Sequence, residues 1–431
     1  MSLKRYLTGI TPSGTPHLGN YVGSIRPSVQ ASQRADVESF YFLADYHALI
    51  KIDDPARIQR STLEIAASWL AAGLDPERVT FYRQSDVPEI AELTWLLTCV
   101  TSKGLLNRAH AYKAAVDQNL AAQEEPDANV NVGLFMYPVL MAADILMFNA
   151  HQVPVGRDQV QHIEMARDIA QRFNHLYGEH FTLPQAAVEE DVATLPGLDG
   201  RKMSKSYDNH IALFAPRREL EKLVSGIVTD SRAPGEPKQT EGSALFQIYQ
   251  AFASAQETLA LRQAYGTGIA WADAKQMLFE RIDREIAPMR ERYSALMANP
   301  AEIEQILLRG ADKARARARP FTAELRRAVG LRDLRVASAA APGQRSSKPA
   351  LPQFKQYRER DGKFYFKLQQ PGGRVLLQSS GLDSPQEAAA AIRTLREHGP
   401  GAFAKLACLQ PIAGIGQDEL AGALALLKPD A

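Results

Sequence analysis

Apolar and polar positions follow two rhythms along the first two hundred residues. Arg5–Gly9, 38–44 (Glu-Ser-Phe-Tyr-Phe-Leu-Ala) and 79–83 (Val-Thr-Phe-Tyr-Arg) are short apolar runs with the length and aromatic content of buried strands. Ala- and Leu-rich stretches such as 56–73 and 88–103 carry helical spacing between and after them. Strand and helix alternate, which predicts a parallel sheet in an α/β domain, with ligands at the carboxyl ends of its strands. From about 207 to 300 the patterns are helical, so a helical region is expected there. Residues 301–334 read as a basic helical run broken by Pro320, with Arg315, Arg317 and Arg319 on a solvated face. The composition of 335–352, rich in Ala, Ser, Pro and Gly, is that of a linker. Beyond it Phe364, Phe366 and Leu368 alternate with polar positions, and Pro371-Gly372-Gly373 turns the chain into Arg374–Leu377. Ser384-Pro385-Gln386-Glu387 is a capping box that opens an Ala-rich helix. A small β-β-β-α domain is therefore expected over 353–398, followed by a tail, 399–431, without a motif.

Composition narrows this picture modestly. With 431 residues, 45% of them hydrophobic, the chain can build two or three domains with cores of their own. Its net charge of +1 does not advertise nucleic-acid binding, so any such contact must come from local patches. Cys99 and Cys408 lie far apart without metal-like spacing, which fits a reducing compartment and argues against a zinc site. No signal-type apolar segment or membrane-length run occurs, so a soluble, cytoplasmic protein is expected.

Three segments carry candidate chemistry. The first follows the strand at Arg5–Gly9 and runs Gly9-Ile10-Thr11-Pro12-Ser13-Gly14-Thr15-Pro16-His17-Leu18-Gly19-Asn20, with a helix beginning near Tyr21. A strand, a Gly-rich loop and a helix start present free N–H groups and a positive dipole end to an anion. The spacing is neither G-x-G-x-x-G nor a P-loop. His17 and Asn20 add side-chain donors. The second is Lys202-Met203-Ser204-Lys205-Ser206, a basic loop preceded by Gly197 and Gly200. It suits closure over a polyphosphate, or else is a solvated basic turn. The third is the apolar helix Pro138–Phe148, with one charge, Asp144. Helical spacing puts Tyr137, Met141, Asp144 and Phe148 on one face. An aromatic ring, a thioether and a carboxylate suit a flat apolar ring with one N–H, such as indole; core packing with Asp144 at the rim is the alternative.

His17-Leu18-Gly19-Asn20 resembles the HIGH signature of class I aminoacyl-tRNA synthetases, and Lys202–Ser206 matches their KMSKS signature without a mismatch. Asn20 replaces the second signature histidine, and Gly19-Asn20-Tyr21 resembles the tryptophanyl-tRNA synthetase branch. The resemblance spans about residues 3–334. It implies a Rossmann-like catalytic domain over 1–206, a helical anticodon-recognition domain over 207–300, and a helix over 301–334 returning to the catalytic core. The implied reaction is activation of L-tryptophan by ATP, with Mg²⁺ carried on the phosphates, and transfer to the 3′ end of tRNA(Trp) by a homodimer. His17, Asn20, Lys202 and Lys205 would be catalytic. Thr11, Pro12, Ser13, Gly19, Gly156, Arg157, Asp158, Leu195, Met203, Ser204 and Ser206 would join Asn20 and the two lysines around ATP. Asp144 would accept the indole N–H, Met141 would pack on the ring, and Tyr137, Gln159 and His47 would complete the amino-acid site. His162 and Glu164 read as structural. The 353–398 segment resembles the small YegP-type domains. A tyrosyl-tRNA synthetase, a catalytically silent paralogue acting as a regulator, and an H-x-G-H nucleotidyltransferase are the rival readings.

Overall fold

Three of the five strands that organise the first part of the chain end at one cavity. β1 (Lys4–Ile10), β2 (Val37–Leu43), β3 (Thr80–Arg83), β4 (Gln152–Val155) and β5 (Gln185–Val188) pair in the order β3-β2-β1-β4-β5, every pair parallel. The computed structural model describes residues 3–12, 14–156, 159–188, 195–331, 351–370, 373–410, 412 and 414–427. It divides into two compact units, Met1–Arg332 and Asp333–Ala431.

Side-chain alternation explains why β2 is apolar on both faces. Tyr41 and Leu43 join Phe81, Trp69 and Leu18 in one apolar cluster, while Phe40 and Phe42 join Leu7, Tyr82 and Phe148 in another. A parallel sheet covered on both faces requires this, because neither face is left to water. The result is a Rossmann-like α/β architecture with many helices.

The first cluster does not stop at the sheet. It continues through Leu220, Ile248, Leu261, Leu278 and Ile286 of the helices Arg217–Ser225, Ala244–Phe252, Ala255–Gly266 and Trp271–Ala298. The 207–300 region is helical, as its pattern predicts, but one core crosses the boundary drawn at 206/207. Tyr21 shows how: its ring stacks on Phe252 at 6.1 Å and its hydroxyl donates to Glu285 at 2.9 Å.

The basic run departs from its reading in two ways. Pro320 does not break it, since one helix runs Pro300–Ala328. Its arginines, with Arg317 and Arg319 exposed as read, also carry ion pairs that a solvated face alone does not require. Arg315 and Arg319 reach Glu89 at 3.0 and 3.5 Å, Arg317 pairs with Glu38 and Arg326 with Glu92. The cause is the position of this helix against β3 and the Glu89–Thr98 helix, which turns the basic face toward carboxylates.

The second unit holds an antiparallel sheet, β6 (Gln353–Arg358), β7 (Phe364–Gln369), β8 (Val375–Ser379) and β9 (Leu409–Gln410), in that order. Its core gathers Phe366, Leu368, Leu377, Ala388, Ala391 and Leu395, so the helix Pro385–His398 covers one sheet face. The segment read as a motif-free tail supplies β9 and the helix Gln417–Ala425, whose Ala423 and Leu424 enter that core. A two-residue strand is too short to leave a periodic signal. The linker, apart from Leu351 and Pro352, lies outside the described residues, as do Pro371 and Gly372 of the turn.

Gly310 makes the docking of the long helix testable. A Cβ there falls 1.6 Å from the Phe81 carbonyl oxygen on β3. Gly310→Ala is expected to destabilise the protein by about 1–3 kcal/mol or more through overpacking against backbone, read as a lower denaturant midpoint. An unchanged midpoint would show that the helix does not seat on β3.

Candidate active site

The strand ends converge on a cavity of ≈ 490 Å³ lined by Gly9 in β1 and Thr11 after it, Ala44 and His47 after β2, and Gly156 and Gln159 after β4, facing Tyr137, Met141 and Asp144. The last three belong to the helix Val132–Met147, capped by Asn131. Asp144 is fully buried. Its Oδ2 lies 2.9 Å from His47 Nε2, and its Oδ1 accepts from Gln84 Nε2 at 2.7 Å. Burial pushes its carboxyl upward, and the contacts with His47 and Gln84 pull it back. A carboxylate has about four lone-pair sites, so these two partners leave capacity for a ligand N–H. On the cavity's other side Tyr137 Oη sits 2.6 Å from His162 Nε2, and His162 Nδ1 lies 3.1 Å from Gln159 Oε1. A second polar chain is thus aimed at the same space.

The two signature loops meet beside the strand ends. Leu18 N–H donates to the Ile211 carbonyl at 2.9 Å, and Leu213 N–H to the Pro16 carbonyl at 2.9 Å. His17 forms an antiparallel bridge with Ala212. His17 Nδ1 accepts from Asn20 N–H at 3.2 Å while Asn20 Oδ1 accepts from His17 N–H at 3.0 Å. This reciprocal cap assigns the ring proton to Nε2 and turns the Asn20 NH₂ group outward. Burial, then the charges of Lys205, His210 and Lys202, lowers the His17 pKa to about 4. His17 is therefore a neutral N–H donor near pH 7. Gly14 has φ +107°, and a Cβ on it would lie 3.2 Å from Lys205 Nζ, so glycine lets the lysine approach the first loop. Thr15 Oγ1 donates to Glu64 at 2.8 Å and ties that loop to the helix Pro55–Ala71.

A family model for the class I tRNA synthetases (W and Y) matches residues 3–286. The chain belongs to the class I tRNA synthetases (W and Y). It is 70% identical to the tryptophan--tRNA ligase of Xanthomonas campestris over 386 residues, 89% of this chain and 90% of that protein. It is 64% identical to the tryptophan--tRNA ligase of Pseudomonas aeruginosa over 91% of this chain and 88% of that one. The tryptophanyl-tRNA synthetase from Campylobacter jejuni, solved with ADP and tryptophan, is 42% identical with a TM-score of 0.69, over 76% of this chain and all of that one. The bacterial ligase matches are longer than the first unit, so the likeness runs into the second.

Within this synthetase frame the structure brings His47, Tyr137, Met141, Asp144, Gln159, Thr11 and Gly156 to one cavity, and His17, Asn20 and Lys205 to one seam. Pro12 is buried beside the seam, and Gly19 packs on the His17 ring. Leu195 and Met203 are core residues, each 3% exposed, joined through the Met203 N–H and the Leu195 carbonyl at 2.9 Å. Lys202 is exposed, and Ser204 Oγ accepts from Ser206 N–H at 3.2 Å. Ser13, Arg157 and Asp158 lie outside the described residues. Phe148 departs from its expected face. It caps the helix end and stacks on Phe40 at 4.7 Å, away from the cavity. His162, read as structural, is a hydrogen-bonded member of the polar chain. Glu164 sits outside the cavity, 3.5 Å from Arg167. Gln84 escaped notice, although a polar residue just past the strand 79–83 is where a parallel sheet places ligand contacts.

Asn209 also escaped notice, and it holds the second loop. Its side chain is 3% exposed. Its amide donates to Asp199 Oδ1 at 2.7 Å and to the Lys202 carbonyl at 3.1 Å, and its Oδ1 accepts from Ser204 N–H at 2.9 Å. Asn209→Ala is expected to remove three hydrogen bonds that restrain the loop, at about 0.5–1.5 kcal/mol each. Tryptic cleavage at Arg201–Lys205 should then accelerate by roughly tenfold or more. An unchanged cleavage rate would place the loop's restraint elsewhere.

Proposed function

We infer that the cavity receives L-tryptophan and the loop seam receives the triphosphate of ATP. The chain is a tryptophan--tRNA ligase: it activates tryptophan with ATP to tryptophanyl-adenylate and pyrophosphate, then passes the acyl group to the 3′ end of tRNA. The observation that carries this is the near-full-length identity to tryptophan--tRNA ligases in a chain whose cavity has a fully buried, doubly hydrogen-bonded carboxylate.

The chemistry asks little of side chains as bases or nucleophiles. The tryptophan carboxylate attacks the α-phosphorus in line, the bond to the β-phosphate oxygen breaks, and pyrophosphate leaves. The ribose hydroxyl of tRNA then attacks the adenylate carbonyl and AMP departs. Catalysis is positioning together with neutralisation of charge on the phosphates. His17 Nε2–H and the Asn20 amide offer neutral donors, and Lys202 and Lys205 offer positive ones. On this reading Gly19, Thr11, Pro12 and Ser13 belong to the approach of ATP, and Gly156, Arg157 and Asp158 to its ribose. Leu195 and Met203 are core side chains, so they act by fixing the backbone of the loop that carries Ser204 and Ser206. Mg²⁺ is the counter-ion that ATP carries, and among the described residues no group of three His, Cys, Asp or Glu is arranged to hold a metal.

Asp144 selects the side chain. Gln84 and His47 hold the carboxylate ready for the indole N–H, Met141 and Tyr137 flank the ring, and Gln159 faces the amino acid's polar end. Helices in 207–300 are the region for anticodon contact, and the working form is a homodimer. Among the described residues no helix is long and apolar enough to cross a membrane.

Amino-acid-dependent ATP–pyrophosphate exchange tests the reading. A site built around an acceptor for one N–H rejects analogues lacking it by roughly 10⁴–10⁵. Tryptophan should support exchange and phenylalanine should not. Tyrosine, whose donor is a hydroxyl in a different place, should also fail. Asp144→Asn should raise the KM for tryptophan about 10- to 100-fold, the scale of a charged hydrogen bond. Equal exchange with tyrosine in the wild type would transfer the chain to the tyrosine branch of the family.

A further inference from the structure

In the second unit, the sheet face turned away from the Pro385–His398 helix carries an unusual set of side chains. Cross-strand pairing places Gln353 opposite Gln369, Lys355 opposite Lys367 and Tyr357 opposite Tyr365, with Gln378 next to Lys367 and Gln410 next to Gln378. Successive residues of a strand point to opposite faces, so these share one face and Phe354, Phe366, Leu368 and Leu377 share the other. Only the second set joins the unit's apolar core.

The lysines and tyrosines of the first set fit badly as mere surface. Tyr357 and Tyr365 stack on each other, with ring centroids 5.6 Å apart and planes 19° apart. Lys367 Nζ lies 5.3 Å from the centre of the Tyr357 ring. Lys355 and Lys367 stand directly opposite each other, an arrangement that costs a sheet stability because like charges repel. Neither lysine has a carboxylate partner among the described residues. Of the nearest acids on the turn after β6, Asp361 is occupied by the Tyr365 hydroxyl at 2.6 Å and the Lys363 N–H at 3.0 Å. Glu359 is exposed. Between 335 and 398 the chain has eleven Lys/Arg against five Asp/Glu, whereas the whole chain is only +1.

We propose that this open sheet face is a docking surface for single-stranded RNA. Phosphates between Lys355 and Lys367 would relieve their repulsion, the two tyrosine rings would stack bases, and the flanking glutamines would offer hydrogen bonds to base edges and ribose hydroxyls. An acidic protein segment would answer the lysines but leave the stacked rings without a use. The surface lies wholly within the second unit, so the proposal stands apart from the catalytic reading, and tryptophan-dependent exchange by the same preparations separates failure of one from failure of the other.

The test uses the full-length chain and a fluorescein-labelled single-stranded RNA of mixed sequence, about a dozen nucleotides long, titrated across a salt series. Lys355→Ala/Lys367→Ala should weaken binding and reduce the slope of log affinity against log salt by about 1.4, or about 0.7 for each phosphate that is no longer neutralised. Tyr357→Ala/Tyr365→Ala should weaken binding at least about fivefold with little change in slope. Tyr357→Leu/Tyr365→Leu keeps apolar bulk on the strands and should show the same loss, which separates stacking from folding. Exchange activity should be unchanged in all three. Wild-type affinity and slope in every variant would overturn the proposal. So would lysine-dependent binding to phosphatidylserine vesicles by a chain whose RNA affinity the substitutions leave unmoved, which would assign the face to a membrane surface.

Discussion

Backbone hydrogen bonds between Pro16–Leu18 and Ile211–Leu213 hold together two loops that the sequence separates by almost two hundred residues. The rest of the site depends on this seam. Without it His17 and Lys205 are isolated donors on unrelated loops; with it they share one electrostatic environment, and Lys205 comes against Gly14. The seam is supported from beneath by Leu18 and Met203 in a common core with Leu195 and Ile211. A loop with a buried methionine at its centre has one well-packed position.

Charge is managed differently on the two sides of the cleft. At the loop seam, burial and then crowding by cations keep His17 neutral, so its N–H can donate without adding to the repulsion among the lysines. In the cavity, Asp144 is buried deeply enough that water cannot stabilise it, and His47 and Gln84 take over that task. Both arrangements are prepared before a substrate arrives, which is what electrostatic catalysis and N–H recognition require.

Much of this was legible in the sequence for identifiable reasons. Strands such as 38–44 announce themselves because a sheet buried on both faces leaves an unbroken apolar run. The two signature loops announce themselves by residue type and order, and Asp144 because a lone charge in an apolar helix stands out. Gln84, Asn209 and His162 were not legible in the same way. Their roles arise from partners 60, 5 to 10 and 25 residues away, and only Gln84 carries a local signal, its position just past the strand 79–83. The ion pairs of the long helix were hidden for a related reason, since the carboxylate partners on 38–92 become visible only when the helix is seated on β3. The strand at Leu409–Gln410 is defined by its neighbour β8 rather than by its own two residues.

The most direct test of the seam is a double-mutant cycle on His17 and Lys205, read as the single-turnover rate of tryptophan activation. Each Ala variant alone should lose about 10²–10³-fold in rate. If the two groups act on one phosphate site held by one seam, the double variant should lose less than the product of the single losses, by a coupling of about 0.5–3 kcal/mol. Strict additivity, or a wild-type rate in Lys205→Ala, would contradict the account.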